Sequence, residues 1–176
     1  ANLELEYALE ELMAQLDEKG KSADTVFVIA ADHYPYALSQ SATEELAGHR
    51  VDRSTGIYRS TLIIYNPGMQ PVEVDKLCSS VDILPTVSNL FGLEYDSRMM
   101  SGSDIFSNAE PLVIFGNHSW LTNEGYYDAY TGRFHPSENG QDAPGYADAV
   151  CREVARRFEI AESILDSDYY RAVFGE

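Results

Sequence analysis

Asp32 and His33 stand together at the end of the apolar run Val26-Phe-Val-Ile-Ala-Ala31. A carboxylate beside an imidazole offers an oxygen and a nitrogen donor, the mixture that divalent cations accept. A short continuous apolar run rich in Val and Ile reads as a strand buried on both faces, as in a parallel sheet. In open α/β sheets, ligands bind beyond the carboxyl ends of such strands, where this pair falls. A competing reading has Asp32 forming an Asx turn and His33 packing beside it.

Other residues with chemical potential are less well placed. His49 lies in a long polar stretch, 34 to 59, beside the strand end, where it reads either as a substrate contact or as a solvated loop residue. Ser79 and Ser80 precede a helix but have no base at a useful spacing, so they read as turn residues. His118 and His135 have no acidic or thiol neighbour at ligand spacing and read as surface or packing groups. Cys78 and Cys151 are far apart, match no metal spacing and are expected to be buried thiols.

The elements around the pair follow from periodicity. Leu5, Ala8, Leu9, Leu12, Met13 and Leu16 mark one face of a helix over residues 3 to 19, which Lys19 and Gly20 end. A helix, a short polar loop and a buried strand make half of a βαβ unit, so a parallel partner strand is expected before residue 1. Ser41 to Leu46 reads as a short helix with Ser41 and Glu44 at capping-box spacing. Thr61 to Tyr65 is a second buried strand ended by Asn66-Pro67-Gly68, and Val72 to Lys76 a brief edge strand. A helix from Ile83 to Phe91 takes Asp82 as its N-cap, because a cap at Ser79 would draw Pro85 into the interior. Pro111 to Phe115 is a third apolar strand. Trp120 to Phe134, broken by glycines, reads as an antiparallel meander. Tyr146, Val150, Val154, Phe158 and Ala161 recur at helical spacing, and a last helix is expected from Ile164 to Phe174.

The chain has 176 residues, enough for one domain with a substantial core. Its net charge of -17 argues against nucleic acid or an anionic membrane surface as partner, since phosphates would be repelled. An anionic substrate is still compatible, because a bound cation reverses the local field. No apolar run approaches a membrane span, and no signal-peptide pattern is present. The chain opens within a helix and without Met, and is expected to be a soluble piece of a longer protein.

Taken in order, the segments Thr25-Val-Phe-Val-Ile-Ala-Ala-Asp-His33, Leu62-Ile-Ile-Tyr-Asn-Pro-Gly68, Ser80-Val-Asp-Ile-Leu-Pro-Thr-Val-Ser-Asn-Leu-Phe-Gly92 and Gly102-Ser-Asp-Ile-Phe106 resemble the sulfatase family of the alkaline phosphatase superfamily. The branch most similar is that of lipoteichoic acid synthases and phosphoglycerol transferases, whose members tend to carry Tyr after Asp-His, as Tyr34 does here. Many sulfatases have Gly at that position. Where the family commonly has Arg-Val-Pro before the second strand, this chain has Tyr58-Arg59-Ser60-Thr61, so no substrate contact is carried over from that segment.

The resemblance implies an α/β fold: the C-terminal portion of an alkaline-phosphatase-like sheet with flanking helices, plus a small antiparallel meander and C-terminal helices. Residues 1–176 would form the C-terminal part of one catalytic domain. Within it, 1–110 is the α/β part, 111–145 the strand and meander, and 146–176 the helices. It further implies that Asp32 and His33 are metal ligands for a divalent ion (Mn, Zn, Mg or Ca), with Tyr34 and His49 as candidate substrate contacts. The chemistry would be in-line cleavage or transfer of phosphate or sulfate esters by a metal-activated hydroxyl. That nucleophile, and a further acidic ligand, would lie upstream of residue 1, leaving this portion inactive alone. Glycerophosphate-bearing lipid or polymer is the implied substrate, and the parent would be membrane-anchored with its catalytic domain outside. A partial sheet leaves an edge open to the missing N-terminal part or to a second copy. Three rivals compete: a binding or structural module that keeps the fold, a two-metal phosphodiesterase or phosphomutase of the same superfamily, and an acidic protein-interaction domain.

Overall fold

The computed structural model describes residues 2–175, which form a mixed helix-and-sheet protein. The chain divides into two compact units, Ala1–Glu73 and Val74–Glu176.

The first unit opens with α1, Asn2–Glu18. Of its apolar stripe, Leu9 and Leu16 are half-buried, while Leu5, Leu12 and Met13 stay exposed. The helix stops where Gly20 takes a left-handed φ of 63°. There Gly20 N–H bonds the Asp17 carbonyl and Lys21 N–H the Leu16 carbonyl, satisfying acceptors that the helix leaves open. A 3-10 turn, Ser22–Asp24, leads into β1, Phe27–Ile29. β2, Ile63–Tyr65, pairs with β1 antiparallel, with Phe27 opposite Tyr65 and Ile29 opposite Ile63. The expected burial of β1 on both faces is not met: Val28 is exposed and Phe27 and Ile29 are half-buried. A two-stranded ribbon has too little surface to cover both faces of a strand. β2, expected to be buried, likewise leaves Ile63 and Tyr65 exposed.

Asn66, after β2, binds the loop before β1. Its amide donates to the carbonyls of Thr25 (2.8 Å) and Ala23 (3.0 Å), while its Oδ1 accepts from Gly68 N–H. α2, Gln40–Ala47, is capped by Ser39, whose hydroxyl accepts from Ala42 N–H, and not by Ser41. Glu44 is diverted from a capping box: its carboxylate accepts from the Gln40 amide and from Val51 N–H. The Gln40 bond, then the Val51 one, holds the Glu44 carboxyl below its ordinary pKa.

In the second unit, α3 spans Ile83–Leu90 after a 3-10 turn, Ser80–Asp82. Asp82 is the N-cap residue of α3, as expected, although its side chain makes no cap bond to that helix; Ser79 caps the 3-10 turn before it. Ser79 N–H donates to Asp82 Oδ2 at 2.7 Å, completing a capping box across the 3-10 turn. The extra turn lets Pro85 remain in the first turn of α3, so both constraints seen in the sequence are met. Asp82 Oδ1 also accepts from Ser103 N–H at 2.7 Å, and Thr86 Oγ1 accepts from Ile105 N–H at 3.0 Å. Gly102 passes so close that a Cβ there would lie 2.1 Å from the Val81 carbonyl oxygen. Two of the recognisable sequence segments are therefore fastened to each other by hydrogen bonds from backbone N–H groups of one to side-chain oxygens of the other. Val72 to Lys76 forms no strand.

β3 (Val113–Ile114), β4 (Trp120–Thr122), β5 (Gly125–Asp128) and β6 (Arg133–Pro136) form one antiparallel sheet in chain order. α4, Tyr146–Asp166, covers it, and α5, Tyr169–Phe174, follows. The break falls later than expected, beyond Ile164, where Asp168 adopts a positive φ of 49°. Trp120 is fully buried. Its ring stacks on Tyr127 and Phe134, each at 5.4 Å, and meets Tyr146 edge-on at 6.0 Å. The indole N–H points to Cys151 Sγ at 3.4 Å. Cys151 is thus half-buried against the core, whereas Cys78 is exposed, contrary to the expectation of two buried thiols. Partial desolvation, then the nearby Asp82 charge, raises the Cys78 pKa. His118 stacks on Phe158 at 4.0 Å and His135 on Tyr126 at 6.3 Å.

Candidate functional site

Two alanines separate the last residue of β1 from Asp32 and His33, so the pair sits just past the strand's carboxyl end. Both side chains reach solvent, Asp32 at 87% and His33 at 50% relative exposure. His33 Nε2 lies 3.5 Å from Asp32 Oδ2, too far for a strong hydrogen bond and close enough for both atoms to face one small cation. The other ring nitrogen, Nδ1, is 2.8 Å from the Tyr34 carbonyl oxygen. A carbonyl only accepts, so Nδ1 carries the proton and Nε2 keeps its lone pair.

Aromatic rings flank the imidazole. Tyr36 approaches His33 with ring centroids 4.5 Å apart, and Tyr34 meets Tyr36 edge-on at 5.9 Å. Tyr34 also meets Tyr58 edge-on at 5.0 Å. Tyr58 ends a 3-10 turn, Gly56–Tyr58, which Asp52 organises. The Asp52 carboxylate accepts from the N–H groups of Ser54 and Thr55 and from the Thr55 hydroxyl. Partial burial opposes its charge, but those bonds prevail and hold its carboxyl below the ordinary range.

The structure thus joins Asp32, His33 and Tyr34. His49 sits in the turn after α2, with Nδ1 2.8 Å from the Arg50 carbonyl. Among the described residues, no group of three or more His, Cys, Asp or Glu side chains converges as a complete metal site. Two surface depressions exist elsewhere, one bordered by Lys76, Cys78 and Glu110, the other by Met13, Leu16, Phe27 and Tyr65; neither includes the pair. The sequence alone assigns Tyr36 and Tyr58 no role at the pair. Only the clustering of tyrosines after Asp-His hinted at them.

The chain is thus a mixed helix-and-sheet protein with an Asp-His pair just beyond a strand's carboxyl end. The Sulfatase family model matches residues 1–93, more than half of the chain, and the chain belongs to the sulfatase family. It is also similar to lipoteichoic acid synthases from Staphylococcus aureus strains USA300, NCTC 8325 / PS 47 and bovine RF122 / ET3-1. Each is 26% identical over 174 residues, covering 95% of this chain and 27% of the relative. The chain therefore spans about a quarter of the length of the curated relatives it matches.

Proposed function

We propose that this chain is the Asp-His portion of a metal-dependent sulfatase-type enzyme that hydrolyses or transfers phosphate esters, with Asp32 and His33 as two of the cation's ligands. The observation that carries the reading is the state of His33: its Nδ1 is engaged by the Tyr34 carbonyl, so Nε2 presents a lone pair beside the Asp32 carboxylate. One oxygen and one nitrogen donor, both open to solvent, fit a divalent ion such as Mn, Zn, Mg or Ca. When bound, such an ion polarises the ester, activates a hydroxyl nucleophile and offsets the acidic field of the chain.

Asp32 contributes the charge that holds the ion, and His33 the directional donor. The exposed rings of Tyr34 and Tyr36 border the space in which an ester would sit. His49 serves as an outer substrate contact. The nucleophile and the remaining ligands come from polypeptide outside these 176 residues, in keeping with the fraction of the relatives' length that the chain covers. By analogy with the lipoteichoic acid synthases, the substrate is a phosphoglycerol group of a cell-envelope polymer, handled by a membrane-anchored parent outside the cell. Among the described residues, no helix is long and apolar enough to cross a membrane.

The purified chain, assayed with p-nitrophenyl phosphate and p-nitrophenyl sulfate in the presence of Mn²⁺ or Zn²⁺, is expected to give no chelator-sensitive turnover. Chelator-sensitive hydrolysis by the 176 residues alone would overturn the placement of the nucleophile.

A further inference from the structure

The segment after the Asp-His pair is more ordered than its polar, loop-like sequence suggests. Tyr34, Pro35 and Tyr36 form a tight turn in which Tyr36 N–H donates to the Tyr34 carbonyl at 2.8 Å. This is a bond between residues two apart, the mark of a γ-turn, and it centres on Pro35, whose ring restricts φ to the range such turns use. The same Tyr34 carbonyl accepts from His33 Nδ1 at 2.8 Å. One oxygen therefore ties the turn together and selects the imidazole tautomer. On the ring's flank, Tyr36 lies 4.5 Å away at an interplanar angle of 36°, and Tyr34 bridges from Tyr36 to Tyr58.

We propose that the Tyr34-Pro35-Tyr36 turn is a positioning device for His33, holding the imidazole as the Nδ1–H tautomer so that a divalent cation meets Nε2 and the Asp32 carboxylate already facing one another. The inference rests on the reading of Asp32 and His33 as ligands, and adds that the residues after them prepare the nitrogen donor before any cation arrives. A donor that is already in the right tautomer and orientation loses less freedom when it binds. Free histidine in water favours the opposite tautomer, with the proton on Nε2, so the turn has to act against that preference. His49 provides a comparison within the molecule. It makes a similar contact to the next carbonyl, that of Arg50, but no tight turn is built on that oxygen and no aromatic ring is stacked on its imidazole among the described contacts.

The test uses the ¹⁵N-labelled 176-residue chain, wild type and the variants Pro35→Gly, Tyr36→Ala and Tyr36→Phe. Long-range ¹H–¹⁵N NMR, at a pH where the imidazoles are neutral and without metal, reports the tautomer of each histidine; Zn²⁺ titration then reports affinity. Wild-type His33 is expected to be predominantly Nδ1–H. Pro35→Gly and Tyr36→Ala should move it towards Nε2–H and weaken Zn²⁺ binding by about 10-fold or more. Tyr36→Phe should restore both properties, because the ring and not the hydroxyl does the flanking. Unchanged His49 and Trp120 signals confirm that each variant is folded. A wild-type His33 that is mostly Nε2–H, or variants that keep the wild-type tautomer, would overturn the proposal. Wild-type protein that binds Zn²⁺ through the pair while the variants bind equally well refutes the turn's role. Wild-type protein that binds no Zn²⁺ there refutes the ligand reading itself.

Discussion

Val74–Glu176 closes around an indole with no exposed surface, three aromatic neighbours and a buried Val154 on the covering helix. Ala1–Glu73 has no fully buried side chain among the described residues, and Leu5, Leu12, Val28 and Ile63 are 40% to 59% exposed. Hydrophobic stabilisation scales with the apolar area removed from water, so the two units cannot contribute equally to stability. The less well packed unit holds the Asp-His pair. Within it, order around the pair comes from polar devices: the Asn66 amide on the carbonyls of Ala23 and Thr25, the Asp52 carboxylate on a turn, and the Tyr34 carbonyl on His33. The candidate site is thus placed on hydrogen-bonded turns, while the second unit is held by an apolar core.

The largest effect that follows is on the Trp120 core. Trp120→Ala should cost about 3–5 kcal/mol in urea unfolding of the second unit, through the cavity and the lost ring contacts. Leu12→Ala in the first unit should cost less than about 1 kcal/mol, since that side chain is already 46% exposed. Equal losses would erase the contrast. Next comes Asp82, whose two carboxylate oxygens receive the N–H groups of Ser79 and Ser103. Asp82→Ala should destabilise the second unit by about 1–3 kcal/mol, measured in the same way. A neutral result would mean that the two segments hold together without the clamp.

A smaller effect is expected from acid. Hydrogen bonds from Arg156, then from Arg157, hold the Glu153 carboxyl at a pKa of about 2, below its ordinary value of 4.5. A depressed folded-state pKa gives stability that is fully present above the unfolded value and lost as pH falls through the folded one. The Glu153 contribution should therefore fade between about pH 4.5 and pH 2 in a pH-dependent unfolding series, and Glu153→Gln should flatten that part of the profile. The pair is partly exposed, which keeps the effect modest. The smallest change is predicted for Asp32→Ala and His33→Ala, which should alter unfolding by no more than about 0.5 kcal/mol, because neither side chain is buried.

Much of this was readable from residue order, for identifiable reasons. α1 and α4 declare themselves through apolar residues at helical spacing, α3 through its N-terminal signals Asp82 and Pro85, and the meander through glycines among aromatics. The Asp-His pair was visible because its two residues are adjacent and follow an apolar run. What depends on three-dimensional closure was not readable. Ser39 caps α2 although Ser41 has the better spacing, since Glu44 is occupied by Gln40 and Val51. Ser79 caps the turn before α3 because a 3-10 segment, invisible in the pattern, reconciles it with Pro85. Apolar β1 suggested burial on both faces, but its only partner among the described residues is β2. The contacts of the Tyr34 carbonyl and the Tyr36 ring with His33 depend on turn geometry, which no spacing rule encodes.

The central claim is that Asp32 and His33 together hold a divalent cation, and Mn²⁺ titration of the labelled chain followed by NMR tests it most directly. Paramagnetic broadening should concentrate at Asp32, His33 and Tyr34 at the lowest Mn²⁺ additions, and should be lost in Asp32→Ala and His33→Ala. Broadening spread evenly over the acidic surface of this -17 chain, and unaltered in both variants, would contradict it.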